Sequence, residues 1–426
     1  MPINSLSLRF SKAARGFLCT LTLFSVLCTL AACTSGTASG KIHLTMWYWN
    51  RSIDDSVIAQ VGKQFPNIDL TAEKITDYDT KVRTTMAGHN GVPDILAVNA
   101  NLSTYFPDEN QFVDLRTLGS DALKSTYLPW KWNLGTTPTG RQIAIPMDTG
   151  PTALFYRSDI FAKAGLPTDP TQVTNTLKTW DDYMQAGDKI KQATNGKVKL
   201  IDNIATIYGM VLGQQPLQYA DRSGKYIGDG GNVKNAWNTA IKMYQQGNSA
   251  EVVNWTNDWN AAISNGTVAS FVGAVWMKQP LFEAAANTKG NWRVARTPGG
   301  DGNNGGSFLT IPAATTHAKE AYQVISWLQN PDNQLTAYKD LQLYPSALET
   351  LNNPALNANE DFFGKENTNA VFAEAAKNIP NFYLDANHDV VGQDFVNALG
   401  LVSATNKNPD AAWNDAQIAV QRDLLR

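Results

Sequence analysis

One stretch constrains this chain more than any other: residues 146–157, Pro-Met-Asp-Thr-Gly-Pro-Thr-Ala-Leu-Phe-Tyr-Arg. Apolar residues predict a strand over 142–147. It breaks at Gly150-Pro151, where proline fixes φ and removes a ladder donor. A second apolar run starts at once. A strand that stops, bends and restarts is how a chain leaves one domain and enters another. Asp148, polar and at the bend, is then expected to face the space between the two.

The chain has 426 residues, more than one typical core accommodates and about right for two domains. Hydrophobic residues make up 43% and charged residues 17%, the balance of a globular protein with a substantial core. Net charge is −3, and the three uncompensated bases Arg9, Lys12 and Arg15 leave about −6 for everything after residue 40. An acidic domain of this kind lacks the basic face that nucleic acid requires. Twelve tryptophans supply flat apolar faces that suit sugar rings as well as cores.

Residues 1–32 read as a signal peptide: a basic start, an apolar run over 17–30, then Leu30-Ala31-Ala32-Cys33. The run is too short for a permanent span. The Leu-Ala-Ala-Cys ending resembles the bacterial lipobox, with Cys33 the lipidated residue and 33–40 a polar tether. All three cysteines, Cys19, Cys28 and Cys33, fall here. The remainder therefore has neither an internal disulfide nor a thiol nucleophile. The expected location is outside the cytoplasmic membrane and anchored to it.

From residue 41 the pattern is strand (41–49), helix (starting near Ser52 and running to Phe65), strand (69–75), helix (77–87) and strand (94–98). That is the signature of an open α/β sheet, which binds ligands at the strand carboxyl ends. Trp47, Trp49, Asn50 and Arg51 follow the first strand, and Asn99 and Asn101 follow the third. Beyond the bend, 168–179 reads as a polar loop, and Thr179 with Asp182 as the cap of a helix to Ala193. Helices are expected over 232–246, ending at Asn265-Gly266, and over 280–286. Strands are expected over 268–272 and 292–297. The glycine-rich 298–306 feeds an apolar run, 307–312, taken as a second crossing. Helices complete the chain over 317–329, 331–338, 367–378, 390–403 and 409–425.

Three segments then carry a family resemblance: 146–182, with Ala164-Gly165-Leu166-Pro167 and Thr179-Trp180-Asp181-Asp182; 292–312, with Trp292-Arg293-Val294-Ala295 and Gly306-Ser307-Phe308-Leu309-Thr310-Ile311-Pro312; and 318–334, with Glu320-Ala321-Tyr322 and Asn330-Pro331-Asp332. Together they resemble the extracellular solute-binding proteins of ABC importers, in the sugar-binding branch that includes maltose-binding protein. The resemblance implies two α/β lobes of the periplasmic-binding-protein type, joined by hinge strands that let them close over a ligand. It implies no catalysis, no cofactor, and a permease pair with an ATPase as partners. Lobe 1 is expected over 41–148 and 308–352, and lobe 2 over 149–307 and 353–426, in a protein acting as a monomer.

A cleft for a neutral sugar needs planar hydrogen bonders and aromatic faces. Trp276 stands where the family puts a stacking aromatic, and Asp148 where it often has an acid gripping hydroxyls. Trp47, Trp49, Arg51, Asn99, Asn101, Trp255, Gly306, Ser307 and Tyr344 complete the expected ligand-binding set. One of Trp47 and Trp49 should turn into the core. Asp148 has an ordinary alternative as a turn cap, and Asn99 and Asn101 as loop-turn residues. Arg51 would serve an anionic ligand such as glycerol 3-phosphate, or pair with a surface acid. The glycine-rich 298–306 lacks the Lys-Ser/Thr ending of a phosphate loop. The four histidines have no metal-ligand spacing. A lipid-anchored glycoside hydrolase is the enzyme alternative, but it needs a second carboxylate opposite Asp148.

Overall fold

The computed structural model describes residues 40–425; the leader, Cys33 and the tether through residue 39 lie outside the described residues. Two sheets organise the chain. The first contains β1 (Ile42–Tyr48), β2 (Ile68–Lys74), β3 (Ile95–Val98), β4 (Ala144–Pro146) and β8 (Phe308–Thr310), in the order β2-β1-β3-β8-β4. The second contains β5 (Thr152–Arg157), β6 (Ser270–Ala274) and β7 (Trp292–Ala295), in the order β6-β5-β7. β1 runs parallel to β2 and β3, as the strand–helix–strand pattern predicts. β8 returns from the other sheet and pairs antiparallel with β3 and β4. This is a two-lobe α/β fold.

Residues 147–151 alone separate β4 from β5, so the chain changes sheets at the Gly150-Pro151 bend. It returns between β7 and β8. The two crossings are stitched together: Met147 N–H donates to the Ser307 carbonyl at 2.9 Å, and Asn304 N–H to the Gly150 carbonyl at 2.8 Å. A Cβ at Gly150 would lie 2.0 Å from the Asn304 carbonyl oxygen, so only glycine lets the two backbones approach this closely. A third strand-like segment joins them, with Thr149 N–H donating to the Tyr344 carbonyl at 2.8 Å and Ser346 Oγ to the Met147 carbonyl at 2.9 Å.

Alternation along β5 explains why the smaller sheet is covered on both faces. Leu154 and Tyr156 face a core shared with the helices Ile204–Gly213, Gly231–Gln245 and His388–Thr405. Ala153 and Phe155 face the opposite core, with Phe271, Trp292, Phe363 and Phe372. The larger sheet has its own core, from Leu44, Met46, Ile95, Ile145 and Leu309 to the helix Ala318–Leu328.

The helix cap at Thr179 is a full capping box with Asp182, as its spacing predicts. Three readings of local structure are corrected. The expected polar loop 168–179 contains the helix Pro170–Thr176, started by Asp169 as cap and Pro170 in the first turn. The helix expected from Ser52 is two short pieces, Asp55–Ile58 and Val61–Gln64, with Asp54 as the cap. Ser52 Oγ instead donates to the Trp49 carbonyl at 2.8 Å. The strand expected over 268–272 lies two residues later, as β6. Among the described residues, no helix is long and apolar enough to cross a membrane.

Candidate functional site

A trough opens between the two sheets, bordered by both crossings. Its main cavity measures ≈ 660 Å³ and is lined on one side by Trp49, Asn50, Arg51, Asp79, Asn99 and Asn101. Trp255, Trp276, Lys278 and Asp389 line the other side, with Asp148, Gly306 and Ser307 from the crossings. A neighbouring cavity of ≈ 380 Å³ shares Trp255, Trp276, Asn304 and Gly305 with it and adds Thr206, Gln218 and His388. A third, of ≈ 570 Å³, continues past Ala100 and Phe382.

The aromatic wall follows from local structure. β6 ends at Ala274, and a single tight turn, Val275–Met277, turns Trp276 toward the trough. The Trp276 indole N–H donates to the Asn304 carbonyl at 2.9 Å, fixing the ring against the second crossing. Trp255 lies nearly parallel to it, with centroids 5.5 Å apart and an interplanar angle of 16°. Trp255 in turn stacks on buried Trp259 at 6.5 Å. Trp255 is 58% exposed and has φ +72°, a conformation a bulky residue rarely adopts. Trp255 is thus a large apolar ring held in the open at a concave surface, on a backbone conformation that costs energy to hold.

On the opposite wall Trp49 leaves β1 and leans on Tyr78, with centroids 5.1 Å apart. The Tyr78 hydroxyl is tied down by the Trp47 and Ala97 carbonyls. Asn99 Oδ1 accepts from Ala100 N–H at 2.8 Å, the local turn its residue type favours, while its residue still lines the trough. Arg51, at φ +64°, donates to the Leu341 carbonyl at 3.1 Å rather than to an acid.

At the floor, Asp148 Oδ1 accepts from Ser307 N–H at 2.7 Å, so the first crossing grips the second. Lys131 stands near it, fully buried, its Nζ 3.4 Å from the centroid of the Phe308 ring and without a hydrogen-bond partner among the described residues. Burial pulls the Lys131 pKa down to about 7, against the opposing pull of Asp148. Burial pushes the Asp148 pKa up, opposed by Lys131 and by the hydrogen bonds to Ser307. Gly306 sits at φ +89°, and a Cβ there would lie 2.7 Å from the Asp148 carbonyl oxygen.

Nine of the residues expected from sequence therefore line the trough: Trp49, Arg51, Asn99, Asn101, Asp148, Trp255, Trp276, Gly306 and Ser307. Two do not. Trp47 is the tryptophan that turns into the core, under the Lys81 ammonium at 5.1 Å. Tyr344 is buried in the third strand-like segment that joins the two crossings, its hydroxyl donating to Asn369 Oδ1 at 2.6 Å. Sequence reading missed Lys131, Asp79, Lys278 and Asp389, none of which stands in a motif. Lys278 is buried and pairs with Glu360 at 2.6 Å. Burial lowers its pKa while Glu360 raises it. Burial raises the Asp389 pKa, with the Asp79 charge across the trough and Asp385 adding to the rise. Among the described residues, no group of three or more His, Cys, Asp and Glu is placed to hold a metal ion.

Two α/β lobes joined by strand crossings, with a trough lined from both sides, have the architecture of a binding protein. The chain belongs to the bacterial extracellular solute-binding protein family, which it matches over residues 56–364. This is a family of binding proteins, so the hydrolase alternative is set aside. The chain is 24% identical over 343 residues to the arabinooligosaccharide-binding protein of Bacillus subtilis (strain 168), covering 74% of this chain and 76% of that one. It is 23% identical over 390 residues to the lactose-binding protein of Rhizobium radiobacter, covering 84% and 87%. A crystal structure of an extracellular solute-binding protein of family 1 superposes with a TM-score of 0.86 at 28% identity, covering 89% of this chain and 99% of that one.

Proposed function

We propose that this protein captures a carbohydrate in the trough, closes over it by hinge motion, and delivers it to the permease subunits and ATPase of an ABC importer. The observation that carries the ligand class is the parallel pair Trp255 and Trp276, facing a wall of Asn, Asp and Arg side chains. Stacked rings take the C–H faces of a sugar, and the planar polar groups take its hydroxyls. The relatives named for arabinooligosaccharide and lactose support the same class. Ligand contacts are assigned to Trp49, Arg51, Asn99, Asn101, Asp148, Trp255, Trp276, Gly306 and Ser307.

The hinge reading rests on the crossings. Lobe 1 comprises 41–148 and 308–352 and lobe 2 comprises 149–307 and 353–426, with Gly150 and Gly306 at the junctions. The Leu30-Ala31-Ala32-Cys33 sequence supports cleavage before Cys33, lipidation there, and tethering of a monomer outside the cytoplasmic membrane. A second reading, a sugar phosphate such as glycerol 3-phosphate, draws on a relative from Rhizobium meliloti (strain 1021). That sn-glycerol-3-phosphate-binding protein is 27% identical over 180 residues, 40% of this chain. A thermal-shift screen of the purified protein decides between them, because a ligand of the native state raises apparent stability. Neutral mono- or oligosaccharides raising Tm supports the carbohydrate reading. A response to glycerol 3-phosphate alone refutes it.

A further inference from the structure

The trough changes character along its length. At the Trp255–Trp276 end its acidic lining residues are Asp79, Asp148 and Asp389, against Arg51 and the Glu360-paired Lys278. Past Ala100, which lines all three cavities, the ≈ 570 Å³ cavity reverses sign. Its charged lining is Arg116, Lys124 and Arg222 against a single acid, Asp121. Arg116 pairs loosely with Asp121 at 3.5 Å and donates to the Gly140 carbonyl at 2.7 Å. The Lys124 ammonium and the Arg222 guanidinium have neither a hydrogen bond nor an ion pair among the described residues. Two cations without a direct partner therefore line a concavity, in a chain that is acidic overall, with Asp221 and Asp385 the acids that act beside Arg222 on the lining residue Tyr383. The basic residues come from different parts of the chain: Arg116 and Lys124 from 115–126, and Arg222 from the turn before the helix Gly231–Gln245.

We propose that the ligand is an extended oligosaccharide carrying an anionic group, and that its charged unit seats among Arg116, Lys124 and Arg222 while a neutral ring stacks at Trp276. The inference rests on the carbohydrate reading above. Three adjoining cavities, each within or near the range that buries a drug-sized molecule, exceed what one monosaccharide fills. Arg222 and Lys124 supply charge complementarity from opposite lobes, so an anion bound there also favours the closed form. A uronate carboxylate and a phosphate or sulfate ester share this chemistry.

The test is isothermal titration of the full chain with size-matched pairs: oligogalacturonides and their methyl esters, sulfated and unsulfated galacto-oligosaccharides, and phosphorylated and unphosphorylated maltodextrins. The expected result is that one acidic member binds at least tenfold tighter than its neutral partner. That preference shrinks as salt rises from 50 to 500 mM. Arg222→Gln and Lys124→Gln each reduce it without altering neutral-sugar affinity, and Trp276→Ala weakens both members. The responding pair distinguishes carboxylate from ester. Neutral members binding as well as or better than every acidic one overturns the proposal and leaves the carbohydrate reading standing. No member of any pair binding overturns both.

Discussion

Replacing Gly306 by alanine perturbs the junction of the two crossings through one methyl group. Gly306 holds φ +89°, where an L-residue crowds its own carbonyl, at a cost of about 1–2 kcal/mol. Its new Cβ would meet the Asp148 carbonyl oxygen at 2.7 Å, Lys131 Nζ at 3.0 Å and Thr149 Cα at 3.1 Å. Two of the three are backbone atoms held by the stitched crossings and cannot swing aside. Overpacking of this kind costs about 1–3 kcal/mol. The sum is a destabilisation of about 2–5 kcal/mol. Urea unfolding followed by tryptophan fluorescence reads it as a lower midpoint with an unchanged m-value. The Gly91→Ala variant is the control: it shares positive φ (+68°) but has open space around the site, so only the conformational part should appear. Equal losses for the two variants would refute the close-approach argument. A Gly306→Ala protein within ~0.5 kcal/mol of the parent, the range of neutral surface changes, would refute the strain argument as well.

Three further outcomes follow. Asp202 is buried, accepts from the Trp259 indole at 3.1 Å, and has its pKa raised by burial to about 7. Its folded pKa lies above its unfolded one, so its contribution is fully present below about pH 4 and lost as pH rises through about 7. Asp202→Asn should remove that slope and gain at most about 4 kcal/mol at pH 8 relative to the parent, from 1.36 kcal/mol per pKa unit; a gain independent of pH between 4 and 8 would contradict it. Trp276→Ala should weaken sugar binding about 10–100-fold, by analogy with the loss of a buried aromatic anchor, while calorimetry shows the fold retained; unchanged affinity would remove Trp276 from the site. Cys33→Ser should shift the expressed protein from the membrane to the aqueous fraction on detergent partitioning. Retention in the membrane would show that the anchor lies elsewhere.

How far the sequence reveals this protein depends on whether a residue's role is local. β1 to β3 alternate or run apolar over their length, so their existence is legible, and Thr179 with Asp182 is legible because a capping box spans four residues. The sheet change at Gly150-Pro151 is legible because both signals are adjacent. By contrast, Tyr344, expected in the ligand-binding set, is buried in a Leu-Tyr-Pro-Ser stretch whose backbone partners lie near 149, almost two hundred residues away. Trp47 and Trp49 differ in fate because β1 ends at Tyr48, a boundary one residue decides. Lys131 has no sequence signal at all: its burial under Phe308 exists only once two distant segments meet. The helix Pro170–Thr176 has a local signal, Asp169-Pro170 as a cap followed by a first-turn proline, but the polar composition around it masks that signal.

A carbohydrate held between the lobes should draw them together. Small-angle X-ray scattering of the protein, free and saturated with the oligosaccharide giving the largest thermal shift, tests it most directly. The radius of gyration should fall on saturation, and that change should be lost in Trp276→Ala at the same sugar concentration. A bound sugar that leaves the scattering profile unchanged would contradict capture by closure of the trough.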